Sequence, residues 1–191
     1  MQSVCTSMTK TIWHITMSLD GFIAPKDDST DWMFGHGAAG PLGAATMART
    51  SVVLSGRRGY DLGNRVGEGE RKLYGGRWTG PIFVLTHRPD DVPDDPHVTF
   101  LSNGVEDAVD SAKAVAGTGD VGILGADLAR QCLEAGLIDE IALHLVPVLL
   151  GSGVRLFEGA GPIDLRKVQC DDSGQITDLR FEVVRDGALD R

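Results

Sequence analysis

The sequence predicts an α/β domain in which a central mixed, mainly parallel sheet is covered by helices on both faces and closed by a C-terminal antiparallel hairpin. Three observations carry that reading. The stretch from Gly119 to Gly159 runs apolar segment, Gly125-Ala126 turn, helix-like segment closed by Gly136, then a second apolar segment, which reads strand, tight turn, helix, strand. Upstream, short apolar runs alternate with segments of helical period, a pattern that asks for parallel strands joined by crossover helices. Near the end, two strand-like runs flank DDSGQ, which is hairpin chemistry.

Taken in order, the elements have local causes. TIWHITMSLDGFIA alternates, with Trp13, Ile15, Met17 and Leu19 facing one way and Ile12, His14, Thr16 and Ser18 the other, and this first strand leaves through Asp20-Gly21. Pro25 to Gly43 is rich in Asp, Gly and Pro and reads as a long loop with one short helical turn. A short helix over Leu42 to Arg49 leads to a strand at Ser51 to Ser55 and then to the turn Gly56-Arg57-Arg58-Gly59-Tyr60-Asp61. Gly63 to Gly80 reads as a mobile excursion. Pro81 opens the strand IFVLT, which ends in Thr86-His87-Arg88-Pro89, and a short strand follows at Val98 to Leu101. Val105, Ala108, Val109, Ala112 and Val115 recur at helical spacing and predict a helix over Val105 to Ala116.

In the Gly119 to Gly159 stretch, Asp127 is expected to cap a helix running from Leu128 to Ala135, and Gly136 suits the left-handed position after it. The second apolar run, Ile141 to Leu150, reads as a strand, and Leu165 to Cys170 with Thr177 to Val184 make the closing pair. The expected organisation is one domain over residues 11 to 186, after a flexible segment at 1 to 10 and before a tail at 187 to 191.

Composition bounds the function. With 42% hydrophobic and 24% charged residues the chain is an ordinary globular protein. Its formal net charge of −9 opposes a nucleic-acid partner, because phosphate backbones would be repelled. Three cysteines, Cys5, Cys132 and Cys170, show no CxxC spacing, so neither a disulfide framework nor a zinc site is expected, and no other metal-ligand spacing is visible. The N-terminus lacks the apolar core of a signal peptide and no run reaches membrane-spanning length. The expectation is a cytoplasmic protein without a membrane partner.

Three stretches fall at strand ends: GRR, THR and GAD. Ligands of open α/β sheets bind at the carboxyl ends of strands, and these three make a locally basic corner on an acidic protein. Gly125 and Ala126 let a ligand approach the backbone, and free N–H groups at the following helix start can hold phosphate oxygens, with Asp127 pointing aside. Thr86, His87 and Arg88 offer a hydroxyl, an imidazole and a guanidinium to one phosphate, which suits the 2′-phosphate of NADPH. The bland readings are a solvated strand-end charge for Arg57 and a turn residue for His87.

The motifs MSLDGFIA, SGRRGYD, FVLTHRP and VGILGADLARQCLEAGLIDEIALHLVPVLLGSGVRLF, in order over residues 11 to 184, resemble the dihydrofolate reductase-like family that includes the C-terminal reductase domain of bifunctional riboflavin-biosynthesis proteins. The resemblance implies a three-layer α/β/α fold with a mixed eight-stranded sheet, a homodimer, and NADPH lying across the strand ends. By motif it puts Gly56, Arg57 and Arg58 at the pyrophosphate, Thr86, His87 and Arg88 at the 2′-phosphate, and Gly125, Ala126, Asp127 and Leu128 under the pyrophosphate and nicotinamide. The substrate falls beneath the loop that starts at Ser18. Two departures bear on the substrate. Leu124 stands where the riboflavin branch has a Glu, and the zinc-deaminase signature HxE with PCxxC is missing. Both argue against a riboflavin-pathway role, and the lack of an acidic residue on the first helix argues against folate reduction.

The functional expectation is an NADPH-dependent reductase that transfers a hydride to a small heterocyclic or carbonyl/imine substrate. Asp20 at the pocket rim and Tyr60 are the candidate proton donors, though Asp-Gly is also turn chemistry and Tyr60 can be a packed aromatic. Trp32 and Phe34 can stack on a flat heterocycle or pin the lid, whereas His14 and His144 read as satisfied strand histidines. Two alternatives stay open: a nucleotide- or ligand-binding protein without turnover, and a flavin-binding enzyme.

Overall fold

The computed structural model describes residues 8–37, 40–65, 73–88, 97–159 and 161–185. The expectations for residues 1–7, for part of the 63–80 excursion, for the acidic stretch at 90–96 and for the tail at 187–191 lie outside them.

Alternation along the first strand, β1 (Thr11–Ser18), separates the two layers of the molecule. Trp13, Ile15 and Met17 join the main core, while Ile12 packs with Leu42 and Ala142 on the other face. A short strand β2 (Phe22–Ala24) and a 3-10 turn (Asp31–Met33) precede α1 (Pro41–Arg49), which begins with Gly40 as N-cap and proline in its first turn, where a missing N–H costs nothing. Strand β3 (Thr50–Gly56) follows directly and runs straight into α2 (Arg57–Arg65). A 3-10 turn (Leu73–Gly76), β4 (Ile82–Leu85), β5 (Val98–Leu101) and α3 (Val105–Ala116) come next. The chain finishes with β6 (Asp120–Leu124), α4 (Ala126–Glu134), β7 (Glu140–Val146), β8 (Val154–Arg155) and the hairpin β9 (Leu165–Ser173) and β10 (Ile176–Val183).

Eight strands form one sheet in the order β5-β4-β3-β6-β1-β7-β10-β9, and β2 pairs with β8 apart from it. The pairs among β5, β4, β3, β6, β1 and β7 are parallel, and β10 runs antiparallel to both β7 and β9. Helices α3 and α4 cover one face, where Ala108, Val109, Ala112, Leu128, Ala129 and Cys132 meet Trp13, Val52, Leu54, Ile123 and Ile141. Burial pushes the Cys132 thiol up to about 12, so it is an inert core group. On the other face α1 packs through Leu42, and α2 through Tyr60, whose ring meets Phe100 edge-on at 5.3 Å. This is the three-layer, mainly parallel arrangement with a closing antiparallel hairpin that the sequence predicts.

Several boundaries differ. GRRGYD is the first turn of α2 and not a strand-end turn: the Arg57–Asp61 pair, four residues apart, and the buried Tyr60 favour the helix despite Gly59. The second apolar run stops as a strand at Val146, because Pro147 cannot supply the next ladder N–H. Leu19 is exposed past the end of β1, and Val115 is exposed while Ala116 takes the buried position. Part of the expected mobile excursion is the turn Leu73–Gly76, with Tyr74 held at φ 53° and its ring 5.6 Å from that of Trp78.

Candidate active site

The candidate site follows from topology. Strands β3 and β6 are parallel neighbours, with Ser55 beside Leu124. The first continues through α2 outward to β4 and the second through α4 across β1 to β7, so their connections diverge. Such a switch point leaves a crevice at the strand ends, which is where open α/β sheets hold ligands. Both helices start at this crevice and direct their first N–H groups toward it. At Gly125 the backbone has φ 98° and a side chain there would meet nothing within 4 Å, so the α4 N-terminus is strained for any other residue and open to a ligand. Gly56 abuts α4 instead, since a Cβ on it would lie 3.9 Å from that of Leu128.

A cleft of about 360 Å³ opens beside this crevice, lined by Asp28, Arg57, Arg58, Asp61, Leu62 and Arg88. Two of its guanidinium groups contact carboxylates: Arg57 Nε donates to Asp61 at 2.8 Å and Arg58 Nη2 to Asp28 at 2.5 Å. Three arginines on an acidic protein make a site for a polyanion, whose phosphates can replace exposed carboxylates as bidentate partners.

The other predicted site residues divide. Thr86 is buried, donates its N–H to the Leu101 carbonyl at 2.8 Å, and accepts the Arg88 N–H on its hydroxyl at 3.1 Å. It shapes the turn that presents the exposed His87 and Arg88. Gly125 occupies the N-cap and Ala126 the first helical position, so Asp127 does not cap α4. Its carboxylate accepts from Arg130 and Gln131, both at 2.9 Å and both farther along its own helix. Leu128 is buried beneath the turn.

Ser18 and Asp20 form a lock at the exit of β1. The Ser18 hydroxyl donates to Asp20 at 2.6 Å and accepts the Phe22 N–H at 3.0 Å, while Asp20 also accepts from the Leu150 and Gly151 N–H groups at 3.1 and 2.6 Å. The Ser18 hydrogen bond, with those backbone donors, draws the Asp20 carboxyl down to about 2. A carboxylate so stabilised is an acceptor near neutral pH, which corrects the expectation of Asp20 as a proton donor. Tyr60 lies buried against Phe100 on α2.

The loop after β2 spans this end of the sheet. Its start is tied to α2 through Asp28 and Arg58. Its far end rests on the β9–β10 hairpin, where Gln175 N donates to the His36 carbonyl at 2.9 Å and Gly37 and Gly40 press against Ser173. Between them Trp32 is half-buried, with its carbonyl 3.1 Å from His36 Nε2, and Phe34 is 43% exposed.

A polar row unmarked by sequence reasoning lies under this loop on the α1 and α2 face. Tyr74 Oη is 3.1 Å from His14 Nδ1, His14 Nε2 is 2.6 Å from His144 Nε2, and His144 Nδ1 is 2.5 Å from Asp178 Oδ1. Ser173 Oγ donates to Asp178 Oδ2 at 3.1 Å. Burial, then His144 and Arg180, lower the His14 pKa to about 3, and burial raises that of Tyr74 to about 12. Each histidine read alone is a satisfied strand residue. The signal available in sequence was that His14 and His144 each interrupt an apolar strand.

The comparisons with known proteins agree with this architecture. The family model described as the RibD C-terminal domain matches residues 9–178. The uncharacterized protein YwjB of Bacillus subtilis (strain 168) is 30% identical over 177 residues, covering 90% of this chain and 97% of that protein. A protein from Shewanella sp. PV-4, assigned provisionally to riboflavin biosynthesis, has a structure that superposes with a TM-score of 0.75 at 23% identity, over 93% of this chain and 100% of that one. The deaminase/reductase of Thermotoga maritima superposes with a TM-score of 0.65 at 14% identity, over 93% of this chain and 57% of its own length.

Proposed function

On the premise that this chain belongs to the RibD C-terminal domain family, we propose that it is an NADPH-dependent reductase of a small heterocyclic or carbonyl/imine substrate. The observation that carries the reading is the cleft at the switch point, where Arg57, Arg58 and Arg88 face one space beside the open Gly125 backbone. The residues fit a dinucleotide. The α4 N-terminus at Gly125 and Ala126, with Gly56 and Arg57, would hold the pyrophosphate, and Arg88 with His87 the 2′-phosphate. When bound, NADPH supplies a hydride.

The chain's own residues orient and enclose. Asp20 and Ser18 fix the exit of β1 against residues 148–151, which sets one wall of the substrate side. The loop carrying Trp32 and Phe34 shields the reacting atoms from water and offers aromatic faces to a flat heterocycle. Leu124, at the end of β6, gives this wall an apolar surface and favours a substrate less polar than a phosphoribosyl compound. The same proposal includes a cytoplasmic homodimer with no nucleic-acid or membrane partner; no described helix is long and apolar enough to cross a membrane.

A side-by-side titration with NADPH and NADH, followed by tryptophan quenching and repeated on Arg88→Ala, tests the reading. NADPH is expected to bind at least tenfold more tightly than NADH, and Arg88→Ala to abolish that preference, a loss of about 1.5–3 kcal/mol for a charge-assisted contact. Absence of binding by either nucleotide would remove the cofactor assignment and the reductase with it.

A further inference from the structure

Five side chains from distant parts of the sequence form one hydrogen-bonded row, from Tyr74 through His14, His144 and Asp178 to Ser173. Two imidazole nitrogens 2.6 Å apart need a single hydrogen between them, so the row has two polarities. In the neutral one, Tyr74 O–H donates to His14 Nδ1, His14 Nε2–H donates to His144 Nε2, and His144 Nδ1–H donates to the Asp178 carboxylate. Adding one proton reverses it. His144 then carries hydrogen on both nitrogens and donates from Nε2 to His14 Nε2, and His14 now carries its single hydrogen on Nδ1 and donates to the Tyr74 oxygen. The Tyr74 hydroxyl hydrogen then rotates away from His14.

Surroundings decide which imidazole takes the charge. His14 is buried, and it faces His144 and the Arg180 guanidinium. His144 has a carboxylate against its Nδ1 and keeps 14% of its side chain exposed. From the other packed elements, Arg180 of β10 reaches Glu140 of β7 at 3.1 Å and Thr46 of α1 at 2.8 Å, Lys10 also pairs with Glu140, and Arg49 of α1 pairs with Asp120 of β6. Arg180 thus keeps a positive charge near His14, while Asp178 answers His144.

The row lies below the exit of β1. His14, Thr16 and Ser18 share one face of β1, and His144 stands beside Thr16 in register, about 7 Å below the level of Ser18 at the strand exit. The lid segment rests on its Asp178 end: a Cβ on Gly40 would lie 1.7 Å from Ser173 Oγ and 2.4 Å from Asp178 Oδ2, so only glycine fits there.

We propose that this row is a one-proton relay serving the substrate side of the cleft, in which His144 carries the exchangeable proton, Asp178 keeps it there, and His14 and Tyr74 are positioning residues that set its direction. Reduction of a C=X bond forms C–H from the hydride, moves the π pair onto X, and forms X–H from one proton; the row releases that proton and returns to its neutral polarity. This use rests on the reductase reading, while the relay itself does not.

Histidine-labelled full-length protein, titrated with pH and followed by 15N NMR, reads the tautomers directly. His144 is expected to gain a proton on Nε2 with falling pH while His14, still neutral, moves its hydrogen from Nε2 to Nδ1 at the same midpoint. Asp178→Asn is expected to uncouple the two rings, so that the His14 tautomer no longer follows the protonation of His144. A His14 tautomer that stays fixed through the His144 titration overturns the relay, and this reading needs only the wild-type protein. With NADPH and a panel of heterocyclic imines and carbonyls, the rate should fall as pH rises through the same midpoint; a flat rate overturns the assigned use. Failure of NADPH to bind, beside an intact tautomer switch, removes the reductase reading and leaves the relay.

Discussion

The two faces of the central sheet are built from the same strands and do different work. Toward α3 and α4, β1 presents Trp13, Ile15 and Met17 to a continuous apolar layer in which Val52, Leu54, Val121 and Ile123 have no exposed surface. Toward α1, the intervening residues His14 and Thr16 lie beside His144, which with Asp178, Arg180 and Glu140 belongs to a set of buried hydrogen bonds and ion pairs. Burial of apolar area contributes about 25 cal/mol per Å², whereas a buried hydrogen-bonded polar network yields little net stability and is costly when half-broken. The first face therefore holds the fold together. The second fixes the position and protonation of a few groups.

The largest effect that sharpens this contrast comes from the two faces of β1. Trp13→Ala should cost about 3–5 kcal/mol by urea denaturation, as large-to-small changes in a packed core do, whereas Thr16→Ala, half-exposed on the other face, should cost under about 1 kcal/mol. Comparable losses at both positions would dissolve the distinction. Smaller is the pH effect. His14 has a folded pKa near 3, below its unfolded value of 6.5, so the unfolded chain binds more protons between those values. Stability is thus fully present above about pH 6.5 and is lost as pH falls toward 3, by up to about 1.4 kcal/mol per pH unit. Urea midpoints at pH 7 and pH 5 measure it, and His14→Asn should flatten the slope. The smallest effect is at Asp127, whose exposed carboxylate pairs with Arg130 and Gln131 of its own helix. Asp127→Ala should change stability by less than about 0.5 kcal/mol and leave NADPH binding unaltered in the quenching titration.

Much of the architecture was legible because its causes are local. The period of Ala108, Val109 and Ala112 with Gly117 beyond marks α3 to the residue, and Gly136 stops α4 through its left-handed backbone. Where the sequence misled, a distant partner overrode a local preference. Gly59 and two arginines read as a turn, yet Tyr60 finds Phe100 of β5 and the helix holds. Asp127 looks like a cap, yet the positive φ required at the β6–α4 junction puts the N-cap at Gly125. Asp20 looked like an acid, yet it accepts hydrogen bonds from Leu150 and Gly151, 130 and 131 residues away along the chain.

By itself the sequence determined the order of the main-sheet strands and of three of the four helices, the mainly parallel sheet and the basic strand ends, because periodicity, turn residues and helix stops act within a few positions. Only the tertiary structure decided which of those residues meet. His14 touches His144 because β1 lies between β6 and β7, and Asp178 reaches His144 because the closing hairpin pairs antiparallel beside β7. Contacts of that kind depend on strand order and register, which are set by the packing of the whole sheet and leave no local trace.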